Sequence, residues 1–594
     1  MAKGVTAPSW DLSDIFKGPD DPELKKCLKR AQRLTQAFVK SYKGKITKLA
    51  SQPNNFRKML GAYEAILECA EKPIDFAMLL FSESNLDPAR GAFLQRMRVE
   101  YLKISKALLF FELEIIAIPK QKMRGLLSKP TMSKYANYLN NVLKAKPHKL
   151  AEKEEGIFAE KSLTGRSAFV RFFNEETSLK EYELKRGKQT RKVSLSTVLD
   201  LSYSARRSDR KASARALAQG LNEESRRLTY IYNTLLHDKA IDDKYRNYPT
   251  PEAARHLANE IDGTMAEVLA AVVVDNYKIV HDFYRYKQKV LKLKKLYDYD
   301  RYAPVTKAVQ TIPFATAKRW VLEAFDRFSP ECAEIAAMFF DRQWIDAAPR
   351  KGKRGGAFCS FVTPDLHPYV FMNYSGTLND VSTLAHELGH GVHAYLIREQ
   401  GVLNYNPPLT VCETASVFSE MLLFDYLKEK IQSRAELFSL YVKKIENIFA
   451  TVFRQIALYR FEQDVHALYR AEGELATGQI NGLWLNRQKE MFGNSVQMTP
   501  DYEPCWSYIP HFVHTPFYVY AYAYGELLTL SLYAKYSAVG TPFVGKYMDM
   551  LRAGSSKSPQ ELMRPLGVNL KKRVFWENGM DMIAGMVKEA KKLR

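Results

Sequence analysis

The sequence predicts a mainly α-helical protein with a small β element beside one of its helices. Three observations carry this expectation. Apolar residues recur at three- and four-residue spacing along most of the 594 residues. One stretch, 355–374, instead begins glycine-rich and continues extended. No segment approaches the roughly 20 consecutive apolar residues of a membrane-spanning helix; the longest runs, such as Leu269–Val274, are short and read as core. With 46% hydrophobic and 26% charged residues the chain is globular rather than disordered.

Taken in order, Glu23–Tyr42 is a lysine-rich amphipathic helix. Ala92–Ile118 reads as one long half-buried helix, with Phe93, Met97, Tyr101, Ile104, Leu108 and Phe111 along its stripe. Ser178–Leu199 alternates around Lys185-Arg186-Gly187-Lys188 and predicts a small hairpin. Further helices are expected over Ser208–His237, Thr264–Lys289, Ala435–Tyr469 and Phe517–Tyr536. Ala357–Val362 and Tyr369–Tyr374 read as two strands joined through a Pro364/Pro368 turn. The length exceeds one ordinary core, so an N-terminal helical lobe over 1–200 and a second domain over 201–594 are expected. No solenoid repeat is present.

Composition excludes several functions. Six cysteines lie far apart, with no CxxC pair, so neither a sulfur metal site nor a disulfide scaffold is expected. Met1–Thr6 opens no apolar stretch of signal-peptide length, and a cytoplasmic location is the expectation. The net charge of +22 invites a nucleic-acid reading. Its basic clusters, Lys185–Lys188, Arg206-Arg207, Lys292–Lys295, Arg350–Arg354 and Lys571–Arg573, are scattered and sit in no nucleic-acid motif, so no specific nucleic-acid partner is expected.

The chemistry lies in His386-Glu387-Leu388-Gly389-His390, an HExxH motif. Asn379-Asp380 offers a helix cap, and Val381–Glu399 continues with helical spacing. Histidines four residues apart share a helix face and can converge on one tetrahedral ion. Glu387 is placed to act as general base on a water at that ion, and Gly389 leaves room for another element. A hydrolytic site needs a third protein ligand. His393 lies about 10 Å along the axis from His386, too far to join both histidines, and is given a supporting role. Glu413, which opens a helix after Pro407-Pro408, is the better third ligand, and Glu420, two turns on, can orient a ligand histidine.

Phe371-Met372-Asn373-Tyr374-Ser375-Gly376-Thr377 leading into the HExxH run closely resembles oligoendopeptidase F, of the thimet oligopeptidase-like metallopeptidases. Glu413-Thr414-Ala415-Ser416, Ile509-Pro510-His511-Phe512, Phe517–Tyr522 and the opening Trp10-Asp11-Leu12-Ser13-Asp14 also match. The resemblance implies a multi-helical, clam-like body with a deep substrate channel. It implies one zinc per chain, held by His386, His390 and Glu413. It also implies that Tyr522 steadies the tetrahedral oxyanion, with His511 upstream of it. Tyr518 is a weaker match because its spacing from His511 differs from that in thimet oligopeptidase, and the resemblance does not place His514. Tyr518, Tyr520, Tyr522 and Tyr524 alternate, so on a helix they cannot all face one way.

The expected function is zinc-dependent endopeptidase action on short peptides, with Glu387 moving the proton from water to the leaving amine. Tyr369–Tyr374, with Phe371 and Asn373, is a candidate edge strand for the substrate backbone, and Gly355-Gly356 a loop able to approach it. Two readings stand beside this one. The same ligands serve a carboxypeptidase or dipeptidyl-carboxypeptidase, and a helical peptide- or nucleic-acid-binding protein could keep a vestigial site. The sequence leaves oligomeric state, substrate and the origin of the charge open.

Overall fold

The computed structural model describes residues 7–305 and 311–594. The expectation resting on Met1–Thr6 lies outside them. The protein is 73% helical, so the mainly-α class holds. Among the described residues no helix is long and apolar enough to cross a membrane.

Two compact units emerge. The first gathers the described residues of Met1–Lys146, Val309–Ile431 and Leu532–Asn569; the second gathers those of Pro147–Ala308, Gln432–Ser531 and Leu570–Arg594. Both are discontinuous in sequence and so differ from the linear division at residue 200 expected above.

In the first unit, the helix Pro22–Tyr42 packs on the 31-residue helix Pro53–Glu83. Their shared core includes Ala31, Phe38, Phe56, Leu60 and Ile66, joined by Phe111 and Leu139. The predicted helix Ala92–Ile118 is two helices, Pro88–Leu108 and Phe110–Ile116, which abut at Leu109. Similar breaks divide the predicted Ser208–His237 and Thr264–Lys289 in the second unit. Glu224 (φ −95°, ψ 0°) separates Arg207–Glu223 from Ser225–Tyr245, and Asn276 (φ −103°, ψ 13°) separates Gly263–Asp275 from Tyr277–Val290. Both residues sit in the bridge region. One such residue redirects the axis while leaving the apolar spacing almost intact. Ala435–Tyr469 is also interrupted, by a π-helical turn at Phe449–Phe453 between Arg434–Ile448 and Arg454–Glu472.

The hairpin forms as expected in the second unit. Strands β1 (Tyr182–Arg186) and β2 (Gln189–Val193) pair antiparallel across a two-residue turn. Gly187 supplies the positive φ of 57° that the first position of a II′ turn demands.

The small sheet of the first unit holds β3 (Ile345–Asp346), β4 (Phe358–Ser360) and β5 (Tyr369–Phe371), in the order β3-β5-β4. Strand β5 is therefore central, and the expectation that Tyr369–Tyr374 forms an edge is corrected. The two-residue β3 claims its other side through Val370 N–H to Trp344 O and Met372 N–H to Asp346 O, both 2.9 Å. Tyr369, Val370 and Phe371 are all 0% exposed. The open edge belongs to β4. Because Val370 turns toward β3, its partner Cys359 is the non-bonded position of the β4–β5 pair, and its N–H and C=O face the free side.

Candidate metal and catalytic site

The motif helix, Leu378–Leu396, starts one turn earlier than expected. Its N-cap is Thr377, not Asn379-Asp380. Thr377 Oγ1 accepts from Asp380 N (3.1 Å), while Asp380 Oδ2 accepts from Thr377 N (3.0 Å) and Ser375 N (2.9 Å). This reciprocal box fixes the entry of the chain from β5 into the helix. Strands β4 and β5 both pack on that helix.

The helix Leu409–Lys430 begins after Pro407-Pro408 and lies against the motif helix. Gly389 permits the approach. A Cβ there would stand 2.7 Å from Ala415 O, Ser416 Cα and Ser419 Oγ, so any side chain would drive the helices apart.

Closeness delivers the third donor. One donor atom each from His386, His390 and Glu413 lie within 4.8 Å of one another. Glu413 Oε2 is 3.4 Å from His386 Nε2 and 3.5 Å from His390 Nε2. These separations are long for charge-assisted hydrogen bonds. They match the edge of a tetrahedron with bonds of zinc length, about 3.3 Å. The donor set and its spacing therefore fit a divalent ion. Electrostatics agrees. Burial opposes ionisation of Glu413, yet His390, His386 and the Ser416 hydroxyl hold its carboxyl well below the usual range. Burial likewise opposes charge on the imidazoles, but Glu420 and Glu413 raise the pKa of His386, and Cys412 and Glu413 that of His390.

Several contacts orient these donors. Glu420 Oε1 lies 2.7 Å from His386 Nδ1 and Glu420 Oε2 accepts from Ser382 Oγ at 3.2 Å, which turns His386 Nε2 toward the cluster. Ser416 Oγ donates to Glu413 Oε2 at 2.7 Å. Cys412 Sγ stands 3.8 Å from His390 Nδ1. Sequence reasoning missed Ser382, Ser416 and Cys412. The signal for Ser416 was its place one helical turn beyond Glu413; Ser382 and Cys412 carried none.

Glu387 is 5% exposed, and its Oε2 accepts no hydrogen bond. Burial raises its pKa against the pull of His386 and His390. A buried, unsatisfied carboxylate oxygen beside a set of metal donors suits a proton acceptor. Cys359, at the middle of β4, is close enough for Glu387 to raise its thiol pKa further, after burial.

The remaining predicted residues divide. His393 is 0% exposed and outside the converging set; burial holds it neutral, pushed down to about 3. Phe371, expected near substrate, is fully buried on the central strand. It stacks on Phe358 at 4.8 Å under Trp10 at 5.5 Å, so it acts through packing. Asn373 Nδ2 donates to Arg354 O (2.9 Å) and Gly356 O (3.2 Å), pinning the exposed Gly355-Gly356 loop.

In the second unit, His511, Tyr518 and Tyr522 come together. His511 Nε2 lies 3.3 Å from Tyr522 Oη, and the Tyr518 ring stands 5.1 Å from that of Tyr522 and 6.2 Å from that of His511. All three are half-buried. Tyr520 and Tyr524 turn the other way. Tyr520 Oη meets His256 Nδ1 (3.0 Å) and Asn259 Nδ2 (2.8 Å), and Tyr524 packs on Trp576 at 5.0 Å. Beneath Tyr518, Phe517 holds a left-handed φ of 58°, and its N–H donates to the fully buried Glu462 Oε1 at 2.8 Å. Exposed His514 bonds Asn174 Oδ1 at 2.7 Å.

A helical scaffold with an HExxH helix, a second helix bearing a glutamate and a converging donor set defines the class of the helical metallohydrolases. Comparison with known proteins narrows the class. Residues 200–582 match the family model of peptidase family M3, and residues 114–180 that of Oligopeptidase F. Oligopeptidase PepF of Bacillus subtilis is 26% identical over 95% of this chain and 83% of its own length. An oligoendopeptidase F homolog of Borreliella burgdorferi is 26% identical over 98% of each chain. The crystal structure of oligoendopeptidase-F from Enterococcus faecium superposes with a TM-score of 0.71 at 21% identity, covering 96% of this chain and 97% of that one, and shares the fold. The chain belongs to peptidase family M3. It is accordingly a metallopeptidase that hydrolyses oligopeptides.

Proposed function

We propose that the protein is a zinc-dependent endopeptidase that cuts internal bonds of short peptides. His386, His390 and Glu413 hold one metal ion and Glu387 is the general base. The observation that carries the reading is the tetrahedral-edge spacing of Glu413 Oε2 from both imidazole nitrogens beside the unsatisfied Glu387 Oε2. When bound, zinc supplies Lewis acidity toward the scissile carbonyl and acidifies water.

Glu387 Oε2 accepts the proton that the attacking water loses and returns it to the leaving amine nitrogen. Glu420 fixes the His386 tautomer with Nδ1–H donating to its carboxylate, so that Nε2 offers its lone pair. Tyr522 is assigned the oxyanion donor by family resemblance. Its pairing with His511 supports that role. Burial, with Arg454 and His514, holds His511 below its ordinary pKa and so neutral. A neutral His511 donating from Nε2 directs its N–H at the Tyr522 hydroxyl oxygen and so orients that hydroxyl. The peptide backbone pairs with the free edge of β4, where Cys359 presents an N–H and a C=O close to Glu387. Backbone pairing reads extension rather than sequence, so specificity is broad.

Glu387→Gln is expected to keep its metal and lose about 10³-fold or more in kcat, and Tyr522→Phe to lose about 10²-fold. Mass spectrometry of the products from a peptide acetylated at one end and amidated at the other checks the mode of attack. Two fragments, each blocked at one end, support internal cleavage; an uncut blocked peptide, with release of one or two residues from the same peptide carrying a free carboxyl end, supports a carboxypeptidase.

A further inference from the structure

The first unit holds a cavity of about 370 Å³ that the mechanism does not use. One face of the helix Pro53–Glu83 contributes Glu71, Ile74, Asp75 and Met78, at three- and four-residue spacing. The helix Pro88–Leu108 contributes Leu94, Arg98 and Tyr101. The remaining wall is Asn406 together with Ser360, the last residue of edge strand β4, and Phe361 and Val362, which continue it.

Its charges are unusual. Glu71 and Asp75 lie one helical turn apart, and among the described residues neither carboxylate accepts a hydrogen bond or has a cation acting on it. Lys72, next to Glu71 in sequence, pairs instead with Asp365. Burial and the neighbouring carboxylate Glu68 push Glu71 up to about 7, and burial with Glu71 pushes Asp75 up to about 8. Two half-buried acids beside Ile74, Met78 and Leu94, neither of them eased by the Arg98 that shares the wall, are costly in the ionised form. Such a pair is satisfied when a positively charged group enters between them.

The cavity is also continuous with the strand that carries the open backbone groups. Tyr405 Oη donates to Phe361 O at 2.9 Å, and both the Cys359 thiol and the Asp75 carboxyl raise the pKa of that hydroxyl, after burial. Phe361 lies two residue steps beyond Cys359, about 7 Å of extended chain. A peptide laid along β4 past Glu387 thus reaches the cavity within two or three residues.

We infer that this cavity is a subsite for a cationic group of the peptide substrate, an alkylammonium from a lysine side chain or from the free amino terminus, held between Glu71 and Asp75. The inference rests on the proposal that substrate pairs with β4. It makes the enzyme favour peptides that carry such a group two to three residues from the cut bond, while Ile74, Met78 and Leu94 cover the methylene stem.

Binding measured without turnover tests it. Glu387→Gln protein is titrated calorimetrically with peptides blocked at both ends, in which a single lysine is walked along the chain and compared with norleucine at the same position. A second pair compares free and acetylated amino termini. The expected result is a tenfold or larger preference for the charged member at one position or at the terminus, reduced to about one by adding Glu71→Gln and Asp75→Asn. The position of the preference identifies which ammonium enters. Single substitutions, each giving part of the effect, guard against a misfolded double variant. Equal affinity for every charged and neutral pair, or a preference that survives the double substitution, overturns the inference. Failure of native protein to cleave any of these peptides would instead count against the endopeptidase reading, so the two failures are distinct.

Discussion

The 2.7 Å contact of Glu420 Oε1 with His386 Nδ1 sets which ring nitrogen is offered to the cluster. Glu420→Ala is expected to weaken zinc affinity about 10- to 100-fold with the fold retained, read by competition with a chromogenic chelator. Glu462 makes a different kind of prediction. It is fully buried, opposed by Glu252 and only partly relieved by Arg255 and the Phe517 N–H, and burial pushes it up to about 8. A carboxyl whose folded pKa is raised favours the native state below its unfolded pKa, and that contribution is lost as pH rises toward the folded value. Stability should therefore fall between about pH 4.5 and 8, by an amount on the order of 1–4 kcal/mol. Glu462→Gln keeps an acceptor for Phe517 and should flatten this slope, with little change at pH 5 and a higher melting temperature at pH 8; an unchanged slope would refute the assignment. At this scale the sequence was legible where chemistry demands a residue at a fixed helical offset. His386 and His390 satisfy that condition, as does Glu420 relative to Glu413; Glu413 itself was legible as the acid that opens a helix after Pro407-Pro408 and by the family resemblance. Ser382 and Cys412 were not legible, because small polar residues and thiols occur on helices for many reasons. Phe371 misled, since an aromatic beside a motif looks the same whether it faces substrate or core.

The elements bring the donors together through one close approach. Gly389→Ala places a methyl 2.7 Å from backbone atoms of Ala415 and Ser416, which cannot yield as a side chain could. The expected cost is about 1–3 kcal/mol of stability, accompanied by at least a tenfold loss of metal affinity, because separating the helices also withdraws Glu413. Thermal unfolding of apo and zinc-loaded protein measures both effects; a full loss of stability with metal affinity intact would show that the glycine serves packing alone. Most helices were legible from their spacing. The breaks at Glu224 and Asn276 were not, since a single bridge-region residue barely shifts the apolar phase. Strand β5 was legible as a strand but not as a central one. Its second neighbour is the two-residue Ile345–Asp346, too short to show alternation, held by Asp346 pairing with Arg350 and Lys353.

Over the whole molecule, the metal-donor group belongs to the first unit and the Tyr522 group to the second, and both units draw on distant stretches of sequence. Long-range assembly of that kind has no linear composition signal, which is why a single cut was the natural expectation from the chain. The net charge of +22 finds no explanation in the site. Many of its lysines and arginines form ion pairs at three- or four-residue spacing, such as Lys26–Glu23 and Arg171–Glu175, which solvent screens. The most direct test of the central claim is hydrolysis of an internally quenched peptide of about ten residues, a length chosen for an extended backbone binder, blocked at both ends. It is followed with native protein, after removal of metal by a chelator, and after stoichiometric zinc is returned. Cleavage that stops with the chelator, returns with one zinc per chain and stays absent in Glu387→Gln is the predicted result. Cleavage that continues undiminished in metal-free protein would contradict it.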